Sequence, residues 1–393
     1  MLEGIRVLSF THFLQGPSAV RILADMGADV IKVEIPSGPF ERNWAGMDTW
    51  LNGMSMAFLM ANHNQRSLSV DMTTEEGREI IERLLATTDV VVQNFRPGVL
   101  EKYGFGCEDV RKRYPKIVYC SCSGFGSTGP YKERPGQDLI VQGLSGLVSL
   151  NGRSDTPPVA MGAPVVDQHG AVLAALGVVA ALFDREKTAN GHAVDSSLLG
   201  AAMDLQLEPF NYYLNKGYLY DKLDTGTSAR CYHTPYGIYQ TADDYIILSN
   251  TPIDKLKKIF GDEYFTGFTQ AEVHARRTEI DKIVCERMKT KTSAEWVEIF
   301  EENKAWYSKI KEYPEVEKDP QLQFNEMIQT VDHPVAGRYR VLLHPVKFDG
   351  KNLPIRKVPP CLGEHTREIM KECGYTDQEI EQVLAKKAAV SYT

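Results

Sequence analysis

Ile5-Arg6-Val7-Leu8-Ser9-Phe10 and Asp29-Val30-Ile31-Lys32-Val33 flank a stretch, 17–26, that ends at Gly27. The two outer stretches read as buried strands. The middle reads as a helix closed by a glycine. Strand, helix and strand in this order form the β-α-β unit that builds parallel sheets. The alternation continues outward. Residues 74–85 have helical periodicity, with Thr73 or Thr74 as cap and glutamates in the first turn. A strand follows at 89–93, a helix at 108–113 and a strand at 117–122. The fold class predicted is α/β, with a doubly wound, Rossmann-like large domain.

The second half is less regular. A long helix from about 168 to 185 ends in Asp184-Arg185-Glu186-Lys187, and then come a strand at 193–197 and a helix at 198–215. From about 225 aromatics, turns and charges crowd together, as in Tyr232-His233-Thr234-Pro235-Tyr236. Asp243-Asp244 reads as a hairpin turn before Tyr245-Ile246-Ile247-Leu248-Ser249. A mostly helical stretch spans 253–311. We therefore expect a smaller α+β domain over 225–325. Residues 1–224 and 326–393 make the large domain, with a last helix at 377–387.

A length of 393 residues suits two domains. The net charge of −8 argues against general nucleic-acid binding but leaves room for a local basic pocket. No apolar run approaches a membrane span, and the N-terminus lacks a secretion signal, so a cytoplasmic location is expected. The seven cysteines are scattered. Cys120 and Cys122 alternate along a strand and point to one face. Neither zinc spacing nor a disulfide framework is present, so free thiols and no metal are expected.

Four places carry candidate chemistry. Asp167 opens the small-residue helix Ala171-Val172-Leu173-Ala174-Ala175-Leu176. It is either a helix cap or a carboxylate nucleophile kept ionised by the helix start. His12 follows the first strand, where ligands gather in open α/β sheets. Asn94-Phe95-Arg96-Pro97-Gly98 follows another strand, and it is either a phosphate-meeting loop or an ordinary Pro-Gly turn. Glu34 ends the second strand in the manner of a ribose-binding acid, and Lys32 reads as a surface charge. A dinucleotide-dependent dehydrogenase would also want Gly-x-Gly-x-x-Gly, which 11–17 lacks.

The ordered set of motifs is more specific than any member. It runs from Leu2-Glu3-Gly4-Ile5-Arg6-Val7, through Thr11-His12, Gln15-Gly16-Pro17 and Asn94-Phe95-Arg96-Pro97-Gly98, to Ser123-Gly124-Phe125-Gly126. It continues through Asp167 and Gly191-His192 to Leu362-Gly363-Glu364-His365-Thr366. This series resembles the class III CoA-transferases over about residues 2 to 385. The resemblance implies that Asp167 is the nucleophile and that His12 lies beside the reacting thioester. It implies CoA contacts at Val70, Asp71, Met72, Thr73, Asn94, Phe95, Arg96, Lys102 and Asp138. Lys102 stands where some members have arginine. Members often carry a glutamine two residues past His12. Here Leu14 holds that position and Gln15 follows, so His12, Leu14 and Gln15 are the substrate-binding candidates on this loop.

Related 2-methylacyl-CoA racemases have a histidine directly before the position of Asp138. Here Gln137 stands there and cannot carry a proton. Tyr232, His233 and Tyr236 either line the acyl pocket or pack a hairpin. The aromatics Phe40, Trp44, Trp50, Phe210, Tyr212 and Tyr213 suggest a medium or branched acid. The resemblance further implies an interlocked, ring-like homodimer and CoA as substrate, without metal or other cofactor. The expected reaction moves CoA reversibly from an acyl-CoA to a free carboxylic acid through an aspartyl-CoA thioester. A racemase and a non-catalytic CoA-binding protein are the alternatives.

Overall fold

In the computed structural model, which describes residues 1–225 and 229–392, seven strands form the main sheet. They are β1 (Arg6–Phe10), β2 (Asp29–Glu34), β3 (Gln65–Val70), β4 (Val90–Gln93), β5 (Val118–Ser123), β6 (Ala193–Ser197) and β7 (Ala389–Val390). Their order is β7-β3-β2-β1-β4-β5-β6. The first six are parallel, and β7 runs antiparallel on β3 with Ala389 opposite Val70. Val7 of β1 pairs Val30 on one side and Val90 on the other. The chain thus winds outward from β1 in one direction, returns, and winds outward in the other. That reversal leaves a crevice beyond the carboxyl ends of β1 and β4.

Both faces of the sheet are covered, as the runs Val30-Ile31 and Val90-Val91-Val92 require. Helices α1 (Gln15–Asp25) and α3 (Val165–Thr188) cover one face, burying Leu23, Ala171, Ala174 and Val178 against Val7, Val30, Val92 and both Cys120 and Cys122. Helix α2 (Glu75–Leu85) covers the other with α4 (Thr366–Glu372) and α5 (Asp377–Ala385). Thr74 caps α2, its Oγ1 accepting from Gly77 N at 3.0 Å. Helix α3 corrects one sequence expectation, because it is long and apolar enough to cross a membrane. In the fold Ala171, Ala174, Ala175 and Ala181 lie in the core against the sheet. Small side chains let helix and sheet approach closely, which accounts for the apolar residues on the sheet-facing side; Val172, Leu176 and Phe183 on the other side are exposed.

The described chain divides into two compact units. The first comprises 1–141, 164–202 and 320–393; the second comprises 142–163 and 203–319. The second unit thus holds most of 225–325 together with 142–163 and 203–224, and it ends at Asp319. It contains an antiparallel sheet of Tyr236–Gln240, Tyr245–Ser249 and Trp306–Lys309. The hairpin pairs Gln240 with Tyr245, and its turn is held by Thr241 Oγ1 and Asp243. Trp296, Phe300, Phe260 and Phe265 fill its core.

Candidate active site

The crevice at the end of β1 and β4 is stitched by one side chain. Asn94 Oδ1 accepts from His12 N at 2.9 Å, and Asn94 Nδ2 donates to His12 O at 2.8 Å. One amide thereby ties the two loops that part at the reversal of strand order. Gly16 is needed for this approach, since a methyl group there would fall 2.8 Å from Asn94 Cγ. His12 Nε2 faces Asn94 O at 3.3 Å, and its ring meets the edge of Phe95 at 5.2 Å. Burial lowers the His12 pKa, against a smaller opposing pull from Glu41. The imidazole is therefore held neutral near pH 7.

The wall opposite is the start of α3. Its first turn is capped not by Asp167 but by Asp138, whose Oδ2 accepts from Val166 N at 2.8 Å and Asp167 N at 3.0 Å. The cap-only reading of Asp167 is thereby answered, because the orphan N–H groups have another partner. The expectation that the helix start keeps Asp167 ionised needs correction. Its pKa is raised to about 7, first by burial and then by the Asp138 charge, and no hydrogen bond is among the influences on it. The helix N–H groups that would have stabilised its anion are spent on Asp138.

A cavity of about 640 Å³ opens between these walls. It brings together His12, Leu14, Gln15, Asn94, Phe95, Arg96, Gln137 and Asp167. All its lining residues belong to the first unit. Gln15 is 5% exposed, and its Nε2 lacks a hydrogen-bond partner among the described residues. Other candidates are not in its lining. Val70, Asp71, Met72 and Thr73 sit at the carboxyl end of β3, outside the lining, where Asp71 Oδ1 accepts from Thr73 N at 2.9 Å. Lys102 is exposed on the turn after the Arg96 loop, also outside the lining. Tyr232 and His233 belong to the second unit. There the Tyr232 hydroxyl donates to Glu208 at 2.6 Å, and His233 meets His274 edge-on at 5.4 Å. Of the six aromatics singled out, only Phe40 and Trp44 line this cavity.

Two charges read from sequence turn out to be structural. Lys32 is fully buried, not a surface charge, and its Nζ donates to Thr11 O at 2.8 Å and Glu41 Oε1 at 3.1 Å. Glu34 is no ribose-binding acid in this fold, since it is buried and closed off by Arg42 at 2.6 and 2.8 Å and by Ser67 Oγ at 2.6 Å. Missed by the sequence reading were Phe13, Glu41, Met60, Lys132 and Arg134, all in the lining. The signal for the last two was the glycine pair bracketing them. A methyl group on Gly124 would fall 2.6 Å from Gly136 Cα, so the loop closes only with glycines.

Residues 2–366 match CoA-transferase family III. The chain belongs to that family. It is 33% identical to Succinyl-CoA:glutarate CoA-transferase of Mus musculus, over 98% of this chain and 89% of that one. It is 31% identical to Formyl-CoA:oxalate CoA-transferase of Streptomyces avermitilis, over 96% and 97%. A crystal structure of a CAIB/BAIF family protein from Brucella suis has a TM-score of 0.81 at 29% identity, covering 95% of this chain and 99% of that one. The resemblance carried by the ordered motifs therefore holds, and the enzyme is a family III CoA-transferase. Within this family III chain, the lining acid that is both largely buried and without a hydrogen bond among the described residues is Asp167; Glu133, also in the lining, is exposed beside Lys132.

Proposed function

We propose that Asp167 is the nucleophile of this family III CoA-transferase and carries CoA as an aspartyl thioester between two carboxylic acids. A carboxylate oxygen of Asp167 attacks the donor thioester carbonyl. The carbon–sulfur bond breaks and releases CoA thiolate, leaving a mixed anhydride. The thiolate then attacks the Asp167 carbonyl and expels the donor's carboxylate. The acceptor carboxylate runs the two steps in reverse and leaves with CoA. No net proton changes hands. Splitting one exchange into acyl transfers is the advantage of covalent catalysis.

The observation that carries this reading is a carboxylate inside the cavity to which no described residue donates, at a helix start that a second acid has already capped. An anion that is neither paired nor hydrogen-bonded is a better nucleophile than a capped one. The Nε2 of Gln15, buried without an acceptor among the described residues, supplies a donor for the oxygen that becomes anionic as each tetrahedral intermediate forms. Its resting place is packed against Gly170, one turn after Asp167. Arg96, Lys132 and Arg134 bring positive charge to the lining for the phosphates of CoA. Gln137 in the lining has no proton to give or take, which counts against α-proton exchange. Exposed Val172, Leu176 and Phe183 on α3 support a second copy of the chain as partner.

The test is direct. The enzyme is mixed with acetyl-CoA, quenched and weighed intact. A gain of one CoA less water, mapped to Asp167 and absent in Asp167→Asn, is expected. Steady turnover without any such adduct, or an adduct on another residue, overturns the assignment.

A further inference from the structure

Resting on that reading, we propose that the acid this enzyme moves is a monocarboxylic acid with a ring-sized apolar body, seated on a shelf of Phe13, Phe40 and Trp44. All three rings line the cavity that holds Asp167, and each is about half-exposed. They form a continuous run: His12 to Phe13 is 4.6 Å between centroids, Phe13 to Phe40 is 4.7 Å, and Phe40 to Trp44 is 5.6 Å at 23°. Such a run offers flat apolar area and further stacking partners to a ring or branched body.

The shelf is held in place by buried structure. Phe13 is in the left-handed region at φ 60°, which an aromatic residue adopts only under constraint. Its N–H donates to Glu41 Oε2 at 3.2 Å. The other oxygen of Glu41 accepts from Lys32, which also donates to Thr11 O. Glu41 neighbours Phe40 in the turn Phe40–Arg42. One buried ion pair therefore fixes the backbone of two of the three rings.

The charges on this wall argue against a second carboxylate. Between residues 12 and 60 the lining has one acid, Glu41, already committed, and one imidazole, His12, which burial keeps neutral. The lining cations Arg96, Lys132 and Arg134 belong to other loops. A dicarboxylate stretched over the rings would lay its distal charge on apolar faces, on a wall whose own lining residues 12–60 offer it no cation. Glutarate and oxalate, named for the relatives, each carry such a second charge.

The experiment compares phenylacetate, acetate and glutarate as acceptors from acetyl-CoA or succinyl-CoA, in wild type and in Phe40→Ala and Trp44→Ala. In wild type, phenylacetate should have the highest kcat/KM. Each variant should raise the KM for phenylacetate about tenfold and the KM for acetate far less. A preference for glutarate, or variants that weaken all three acids equally, overturns the proposal. The same rings could instead stack on the adenine of CoA, so phenylacetyl-CoA and phenylacetyl-pantetheine are compared as donors. A loss that persists with the pantetheine ester supports the acid on the shelf; a loss that vanishes there overturns it. The adduct on Asp167 from acetyl-CoA is scored separately. Its absence sinks the transfer reading, whereas its presence with an indifferent shelf sinks this inference alone.

Discussion

The two walls of the cavity treat buried charge in opposite ways. On the β2 side, Lys32 and Glu41 sit almost without solvent, and each finds its partner in the other, in Thr11 O or in Phe13 N. On the α3 side, Asp138 takes the helix N–H groups and leaves Asp167 with burial and a like charge beside it. Matched burial makes scaffold, because removing either partner strands the other. Unmatched burial makes a reactive group, because the helix N–H groups that would stabilise the anion are already taken. Burial alone distinguishes nothing here; the hydrogen-bond ledger does.

The largest expected effect tests the unmatched wall. Asp167→Asn should lower transfer on the order of 10⁴-fold or more, as removal of a covalent nucleophile does. It should also leave a signature in stability. A carboxyl whose folded pKa of about 7 lies above its unfolded value favours folding below pH 4, and that contribution is lost as pH rises through 7. The amide variant should therefore match wild type in acid and exceed it above pH 7, by roughly 2–4 kcal/mol. Urea unfolding at pH 4.5 and pH 8 checks this. A variant less stable than wild type at pH 8 would mean that the Asp167 anion is paired after all.

Next comes the matched wall. Lys32→Met leaves Glu41 buried without its cation and should cost about 3–5 kcal/mol in unfolding free energy. The double change Lys32→Met with Glu41→Leu should recover much of that loss, since no charge is then stranded. If the single variant loses less than the double, the pair is not scaffold and the contrast between the walls fails.

These two walls also mark what the sequence could reveal. The β-α-β opening and its continuation through 89–93 and 117–122 needed only periodicity and glycine punctuation, which are local; the strands Gln65–Val70 and Ala389–Val390 and the order of the sheet were not read from the sequence. Asp167 stood out as an acid at the mouth of an alanine-rich helix, which left cap and nucleophile open, and the resemblance to the CoA-transferases pointed to the nucleophile. Its lack of a partner was hidden, because the residue that takes the cap comes 29 positions earlier. Lys32 was misread for a different reason. A lysine inside Val30-Ile31-Lys32-Val33 suggests an outward face, yet a parallel strand covered on both sides has none. Glu34 fell to the same rule, and the partner Arg42 could not be named from spacing. Tyr232 and His233 were chosen for their chemistry, and chemistry does not say to which unit a residue belongs.

A smaller effect probes the joint between scaffold and cavity. Phe13→Gly relieves a left-handed backbone at a cost of ring packing, so thermal stability should change by no more than about 1 kcal/mol. Phe13→Ala keeps the strain and loses the ring, and should be the less stable of the two. Calorimetry on both separates backbone from side chain. Equal stabilities would show that the φ of 60° is not held against resistance.

The smallest change is the most discriminating for the unmatched wall. Asp138 acts on Asp167 in two ways, through the cap on Val166 and Asp167 and through its charge. Asp138→Asn keeps an oxygen that can accept both N–H groups but removes the charge. The midpoint of kcat/KM against pH reports the free enzyme's essential base, which for wild type should lie near pH 7. Without the neighbouring charge it should move to lower pH. Burial is the larger cause of the raised pKa and remains, so the midpoint should stay above the ordinary carboxylate value of 3.8. Asp138→Ala removes charge and cap together. It should show a similar displacement and in addition lose roughly 1 kcal/mol of stability, the usual cost of an uncapped helix start. Should Asp138→Asn leave the midpoint in place while Asp138→Ala moves it, the cap rather than the charge sets the nucleophile. Asp138 would then belong with Lys32 and Glu41 as scaffold.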